Sequence, residues 1–140
     1  MSLKSLEIDQ AKANYDEESQ IIHIAYSGVL SGDVTVAVYS WLDELLHEIG
    51  TENVYGEIFD FRKVIEFAPD NLSTARRTSS KMNMKMDTSQ IPVALLISDA
   101  AHQEIFHSSM RISPQNMRRK IVWSKDEALE FFDEWHQQQS

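Results

Sequence analysis

The chain has 140 residues, with 22 Asp and Glu against 13 Lys and Arg, a formal charge of −9 and 42% apolar content. That length and apolar share fit one globular domain over 1–140 and argue against a disordered chain. With no cysteine and 4 Gly, disulfides, thiolate nucleophiles and Cys-built zinc sites are excluded, and a Gly-rich phosphate loop has little material.

The first residues, MSLKSLEID, carry acids where a signal peptide needs an apolar run. No window reaches the roughly 18 uninterrupted apolar residues of a membrane span. A soluble, cytoplasmic protein is expected.

Leu6 and Ile8, then Ala11, Ala13 and Tyr15, alternate as a half-buried strand does. Asp16-Glu17-Glu18-Ser19 reads as a turn and residues 20–26 (QIIHIAY) as the returning strand, a hairpin that Ser27-Gly28 ends. From 31 to 50, Val34, Val38, Trp41, Leu42, Leu45 and Ile49 recur on one helical face, with Ser31 to cap the start and Gly50 the end. Residues 54–61 (VYGEIFDF) read as a buried strand. A second helix is predicted over 70–86, with Leu72, Ala75, Ser79, Met82 and Met86 inward. Residues 91–98 (IPVALLIS) are continuously apolar, as a strand buried on both faces is. A third helix is predicted over 99–110, with Ile105, Phe106 and Met110 inward, followed by a last strand over 120–123. Ser124-Lys125-Asp126-Glu127 spells a capping box, opening a terminal helix with Ala128, Leu129, Phe132 and Trp135 on one face.

The predicted order is β-β-α-β-α-β-α-β-α. It implies an α/β domain with about five strands, mostly parallel, an antiparallel N-terminal hairpin at one edge and about four helices.

This order and three local patterns resemble the SpoIIAA-like (STAS) family. The patterns are Gly28-Val29-Leu30-Ser31 entering the first helix, Ile58-Phe59-Asp60 as an apolar strand ending in an acid, and Ile121-Val122-Trp123 before a helix with Glu127-Ala128-Leu129 and Trp135. The resemblance covers nearly the whole chain. It implies a SpoIIAA-like fold and a non-enzymatic binding or regulatory domain. In the family's anti-sigma-factor antagonists, a phosphorylated Ser follows the acid after the third strand. If Asp60 matches that acid, the switch position is Phe61, which carries no hydroxyl, and Arg62 and Lys63 replace a small residue and Gly. The chain thus looks closer to the branch similar to lipophilic-ligand carriers. The resemblance also makes a homodimer the assembly to test.

Charge is unevenly placed. Residues 1–70 hold 14 acids and 4 bases, whereas 71–125 hold 3 acids and 9 bases. Arg76, Arg77, Lys81 and Lys85 ring the outer side of the second predicted helix, with Met84 among them. Such a helix suits an anionic membrane surface, a lipophilic ligand or an acidic partner; its ordinary reading is a solvated surface with Met residues filling core gaps. Arg118-Arg119-Lys120 forms a second basic cluster. Net −9 and a sheet expected to be covered by helices argue against nucleic acid.

Glu104-x-x-His107 has the spacing of half a di-iron site, but no second copy exists. His23, between Ile22 and Ile24, reads as a hydrogen-bonded sheet histidine. No metal or cofactor is expected. No Gly-x-Ser-x-Gly elbow, Walker loop or His-Glu-x-x-His motif is present, so a small hydrolase or metalloenzyme has no motif behind it. His107-Ser108-Ser109 is read as helix surface, and the pairs Asp43-Glu44, Asp126-Glu127 and Asp133-Glu134 as solvated.

Ligands of α/β sheets gather beyond the carboxyl ends of strands, here Gly28 to Gly32, Asp60 to Lys63, Ser98-Asp99 and Ser124. The expected site is Asp60, Arg62, Lys63, Arg76, Arg77, Lys81, Met84 and Lys85. The leading expectation is binding of a lipophilic ligand or anionic membrane through 70–86. The alternative is a protein-interaction module related to the anti-sigma antagonists, working without phosphorylation.

Overall fold

A computed structural model describes residues 5–68, 77, 90–101 and 118–139. Six strands form one mixed sheet in the order β1 (Ser5–Ile8), β2 (Ala11–Asp16), β3 (Ile21–Leu30), β4 (Gly56–Phe67), β5 (Val93–Leu96), β6 (Arg119–Val122). The first three are antiparallel and the last four parallel. Helix α1 (Gly32–Ile49) joins β3 to β4, and α2 (Lys125–Gln139) follows β6. Among the described residues no helix is long and apolar enough to cross a membrane.

Six strands replace the five expected because the first predicted strand is two. Asp9 and Gln10 form a two-residue turn that folds Ser5–Ile8 back on Ala11–Asp16. The apolar alternation slips from even to odd positions between Ile8 and Ala11, a step of three that marks the turn and that a single continuous strand passes over. The hairpin becomes a three-stranded meander. Its second turn is as predicted: Ser19 Oγ and the Glu18 N–H donate to the Asp16 carboxylate at 2.9 and 3.1 Å. These bonds, that of Ser19 foremost, hold the Asp16 pKa below its ordinary value.

Ser27-Gly28 does not end β3. Ala25 pairs with Asp60 but Ser27 with Lys63, and Gly28 pairs with Val64 but Val29 with Glu66. β4 therefore carries an extra residue at each of two bulges, and Gly28 accommodates the second with φ +72°. Each extra residue reverses the inward parity, so Phe59, Phe61, Val64 and Phe67 all pack on one core although their spacing is 2, 3 and 3. β4 runs on to Phe67 rather than stopping near 61.

The sheet separates two cores. Val38, Leu42, Leu45 and Leu46 of α1 pack on Ile22, Ile24, Tyr26 and Phe59, with Ile49 partly buried at the edge. On the other face, Ala128 and Phe132 of α2 seat on Ile21, Ile58, Ala94, Leu96 and Val122. Ser31 occupies the N-cap of α1 without a side-chain bond, and Gly50 closes its end with φ +84°. At α2 the Ser124 half of the capping box forms, the Glu127 N–H donating to Ser124 Oγ, while Glu127 Oε1 reaches one residue past the cap and accepts from the Trp123 N–H, both at 3.1 Å. Leu129, expected inward, is 41% exposed. At 100° per residue it lies about 100° around the helix from Ala128, off the buried stripe.

β5 is buried throughout, as its unbroken apolar run requires. Arg77, Ala100 and Ala101 are helical; the remainder of the second and third predicted helices lies outside the described residues.

Candidate functional site

Of the expected site residues, Arg76, Lys81, Met84 and Lys85 lie outside the described residues, and Arg77 is exposed. Asp60, Arg62 and Lys63 all lie on β4. Asp60 is not a strand-end acid. It sits mid-strand, paired with Ala25 on one side and with Leu96, the last residue of β5, on the other. The carboxyl ends of β5 and β6 are level with it, while β3 and β4 run on.

Asp60 and Arg62 face the same way, two residues apart on one strand, and form a fork. Arg62 Nε donates to Oδ1 at 3.0 Å and Nη2 to Oδ2 at 2.9 Å, and the Arg62 N–H adds a third bond at 3.0 Å. Burial raises the Asp60 pKa, but the Arg62 bonds and charge outweigh it and hold the carboxyl below its ordinary value. The pair is self-neutralising. Lys63, exposed just after the first bulge, has no ion pair among the described residues.

The bulges also lift apolar residues into solvent. Ile65 is 82% exposed and Val29, opposite Glu66 on the neighbouring strand, 48%. Both lie on the ribbon of β3 and β4 that continues seven residues beyond Asp60. Along that stretch β4 is paired with β3 alone among the described residues. Sequence reasoning reads Val29 as part of the loop entering the helix and stops the strand before Ile65, so neither is singled out.

The second basic cluster is dispersed. Arg118 is buried and donates from Nη1 to the Ile91 carbonyl at 3.0 Å. Arg119 is half-buried, and the Lys120 ammonium lies 5.8 Å over the Phe131 ring. Glu57, inside a stretch read as a buried strand, is itself buried. Burial pushes its carboxyl pKa up, against the charges of Arg118 and Arg119.

His23 lies on the sheet face opposite Ile22 and Ile24, as its alternation with them predicts, but it is half-buried with no hydrogen bond among the described residues, unlike the bonded histidine expected. The sheet is not covered on both faces along its length either. Glu7, Lys12, Asn14 and Ala25 are exposed on the meander beside α2. Against nucleic acid there stands the net charge of −9 rather than a covered sheet.

No family model and no curated protein matches this sequence. Solved structures do. An uncharacterized DUF3478-family protein with a SpoIIAA-like fold from Shewanella loihica PV-4 is similar over 94% of this chain and 98% of its own, at 12% identity and a TM-score of 0.61. The anti-sigma factor antagonist SpoIIAA in its unphosphorylated form matches 86% of this chain and 94% of its own, at 11% identity and a TM-score of 0.56. The Bacillus cell fate determinant SpoIIAA in its phosphorylated form matches 86% and 96%, at 10% identity and the same TM-score. The chain has a SpoIIAA-like fold.

The resemblance equates Asp60 with the acid that follows the third strand of the antagonists, but here the strand continues to Phe67. The first acid beyond it in the sequence is Asp70, followed by Asn71. Neither Phe61 nor Asn71 carries a hydroxyl.

Proposed function

We propose that this protein is a non-enzymatic interaction module that engages a protein partner through the projecting β3–β4 ribbon. The observation that carries the reading is Ile65. An isoleucine 82% exposed at a β-bulge gains about 1.5–3 kcal/mol when a partner covers it. Val29 extends the apolar area, and Lys63 and Glu66 give it a charged rim, the anatomy of a small protein interface. The fold shared with anti-sigma factor antagonists supports the same reading. The missing hydroxyl at Phe61 and at Asn71 supports regulation by occupancy rather than by phosphorylation there.

The test is affinity capture with the parent and with an Ile65→Glu, Lys63→Glu double variant, checked for unchanged melting. A partner held by the parent and lost by the variant is expected. Identical captured proteins from both would overturn the ribbon as the contact surface.

A second reading is binding of a lipophilic ligand or anionic membrane through Arg76, Arg77, Lys81, Met84 and Lys85. It predicts co-sedimentation with phosphatidylglycerol vesicles that is weakened by Arg76→Glu with Lys81→Glu and by salt. Sedimentation unaffected by both would remove it.

A further inference from the structure

α2 covers the sheet only from β3's first residue to β6. Beside it, β1, β2 and β3 leave a groove of about 570 Å³ with Lys125 and Asp60 along its margin. That is the volume of a small-molecule site. Ala25 is its hollow. In the ladder it stands between Lys12 of β2 and Asp60 of β4, with His23 two residues back on the same face and Asn14 opposite His23. Four longer side chains thus surround one methyl group.

The charges in the groove are unequally matched. Glu7 lies 3.4 Å from Lys12, and Asp60 is held by Arg62. Lys125 and His23 have no side-chain hydrogen bond or ion pair among the described residues. Burial, then the Lys125 charge, lowers the His23 pKa, so its imidazole is neutral at neutral pH. Lys125 is then the cation of the groove without an ion pair among the described residues, since the Asp60 carboxylate that feels its charge is bonded to Arg62, and it is joined by two neutral N–H donors, on His23 and Asn14. One positive charge with neutral donors matches a monoanion; a phosphate dianion would leave a charge uncompensated. Ala25 and Ile58 offer a short apolar floor.

We infer that this groove binds a small organic carboxylate, with its anionic end on Lys125, His23 and Asn14 and a short aliphatic body over Ala25. The groove residues do not include Ile65, Val29 or Lys63, so the inference does not rest on the β3–β4 partner patch.

The experiment is an amide and imidazole NMR titration of the whole chain with butyrate, with butyramide as the uncharged control and with inorganic phosphate. Saturable shifts at His23, Ala25 and Lys125 are expected with butyrate and not with butyramide, and phosphate should bind more weakly. Lys125→Gln should weaken butyrate about tenfold or more, the loss of one charge-assisted bond. Ala25→Phe should fill the hollow and abolish binding; Ala25 is exposed and outside both cores, so melting should be unchanged. Should that variant fail to fold, Lys125→Gln, at an exposed position, carries the test alone. Absence of saturable butyrate shifts, equal binding of butyramide, or indifference to Lys125→Gln would overturn the site. Tighter binding of phosphate would overturn the carboxylate as its ligand.

Discussion

Gly56 lies directly against the ring of Phe132: a Cβ built at 56 would fall 2.6 Å from both Cδ2 and Cε2. The first residue of β4 thereby sets how closely α2 approaches the sheet. Phe132 is fully buried and cannot swing away. Gly56→Ala should cost about 1–3 kcal/mol through overpacking, read as a lower midpoint in denaturant unfolding. Phe132→Ala should cost about 3–5 kcal/mol, because it leaves a cavity instead. In the double variant the two losses should be less than additive, since the smaller side chain frees the space the new methyl needs. Strict additivity would show that the approach at Gly56 is not what limits the packing.

Tyr55 fastens the far end of the same helix. Its hydroxyl donates to Asp133, its ring stacks on His136 at 4.2 Å between centroids, and His136 Nε2 lies 2.7 Å from the Tyr55 carbonyl oxygen. The bond to Asp133, then burial and the carboxylate's charge, push the phenol pKa up to about 12. Tyr55→Phe keeps the stacking and removes the hydroxyl, at a cost of about 0.5–1.5 kcal/mol. Hydrogen exchange should accelerate in the last turns of α2 and not in α1. Uniform acceleration in both helices would refute a local latch.

Glu57 makes stability depend on pH. An acid whose folded pKa is raised holds its proton more tightly in the fold than in the unfolded chain. Stability therefore falls as pH rises from about 4.3, the unfolded value, through the raised folded value, and stays lower above it. Glu57→Gln keeps the shape and removes the titration. The melting temperature of the variant relative to the parent should be more favourable at pH 8 than at pH 4.5; no change in that difference would contradict the raised pKa.

Asp60 shifts the opposite way, so its contribution is present above about 3.9 and is lost as pH falls through the depressed folded value. Arg62→Gln removes the fork and leaves burial less opposed. The Asp60 carboxyl, followed by carbon NMR, should titrate higher in the variant than in the parent. An unmoved titration would mean that Arg62 does not set it.

Sequence by itself determined the elements whose signals are local. The 3.6-residue spacing from Val34 to Ile49 specifies α1, Ser124 and Glu127 write the start of α2 into four consecutive residues, and the apolar run at 93–96 specifies a strand buried on both faces. The order of these elements carries the fold. Tertiary structure decided the length of β4, the exposure of Ile65, the Arg62 fork on Asp60, and the open groove around Ala25. These depend on pairing between strands. A bulge changes which face a residue takes only once a neighbouring strand sets the register, and Lys125 comes beside His23 only because α2 packs on β5 and β6. Side-chain spacing encodes the face of an isolated element; which residues from distant elements meet is decided by the sheet that aligns them.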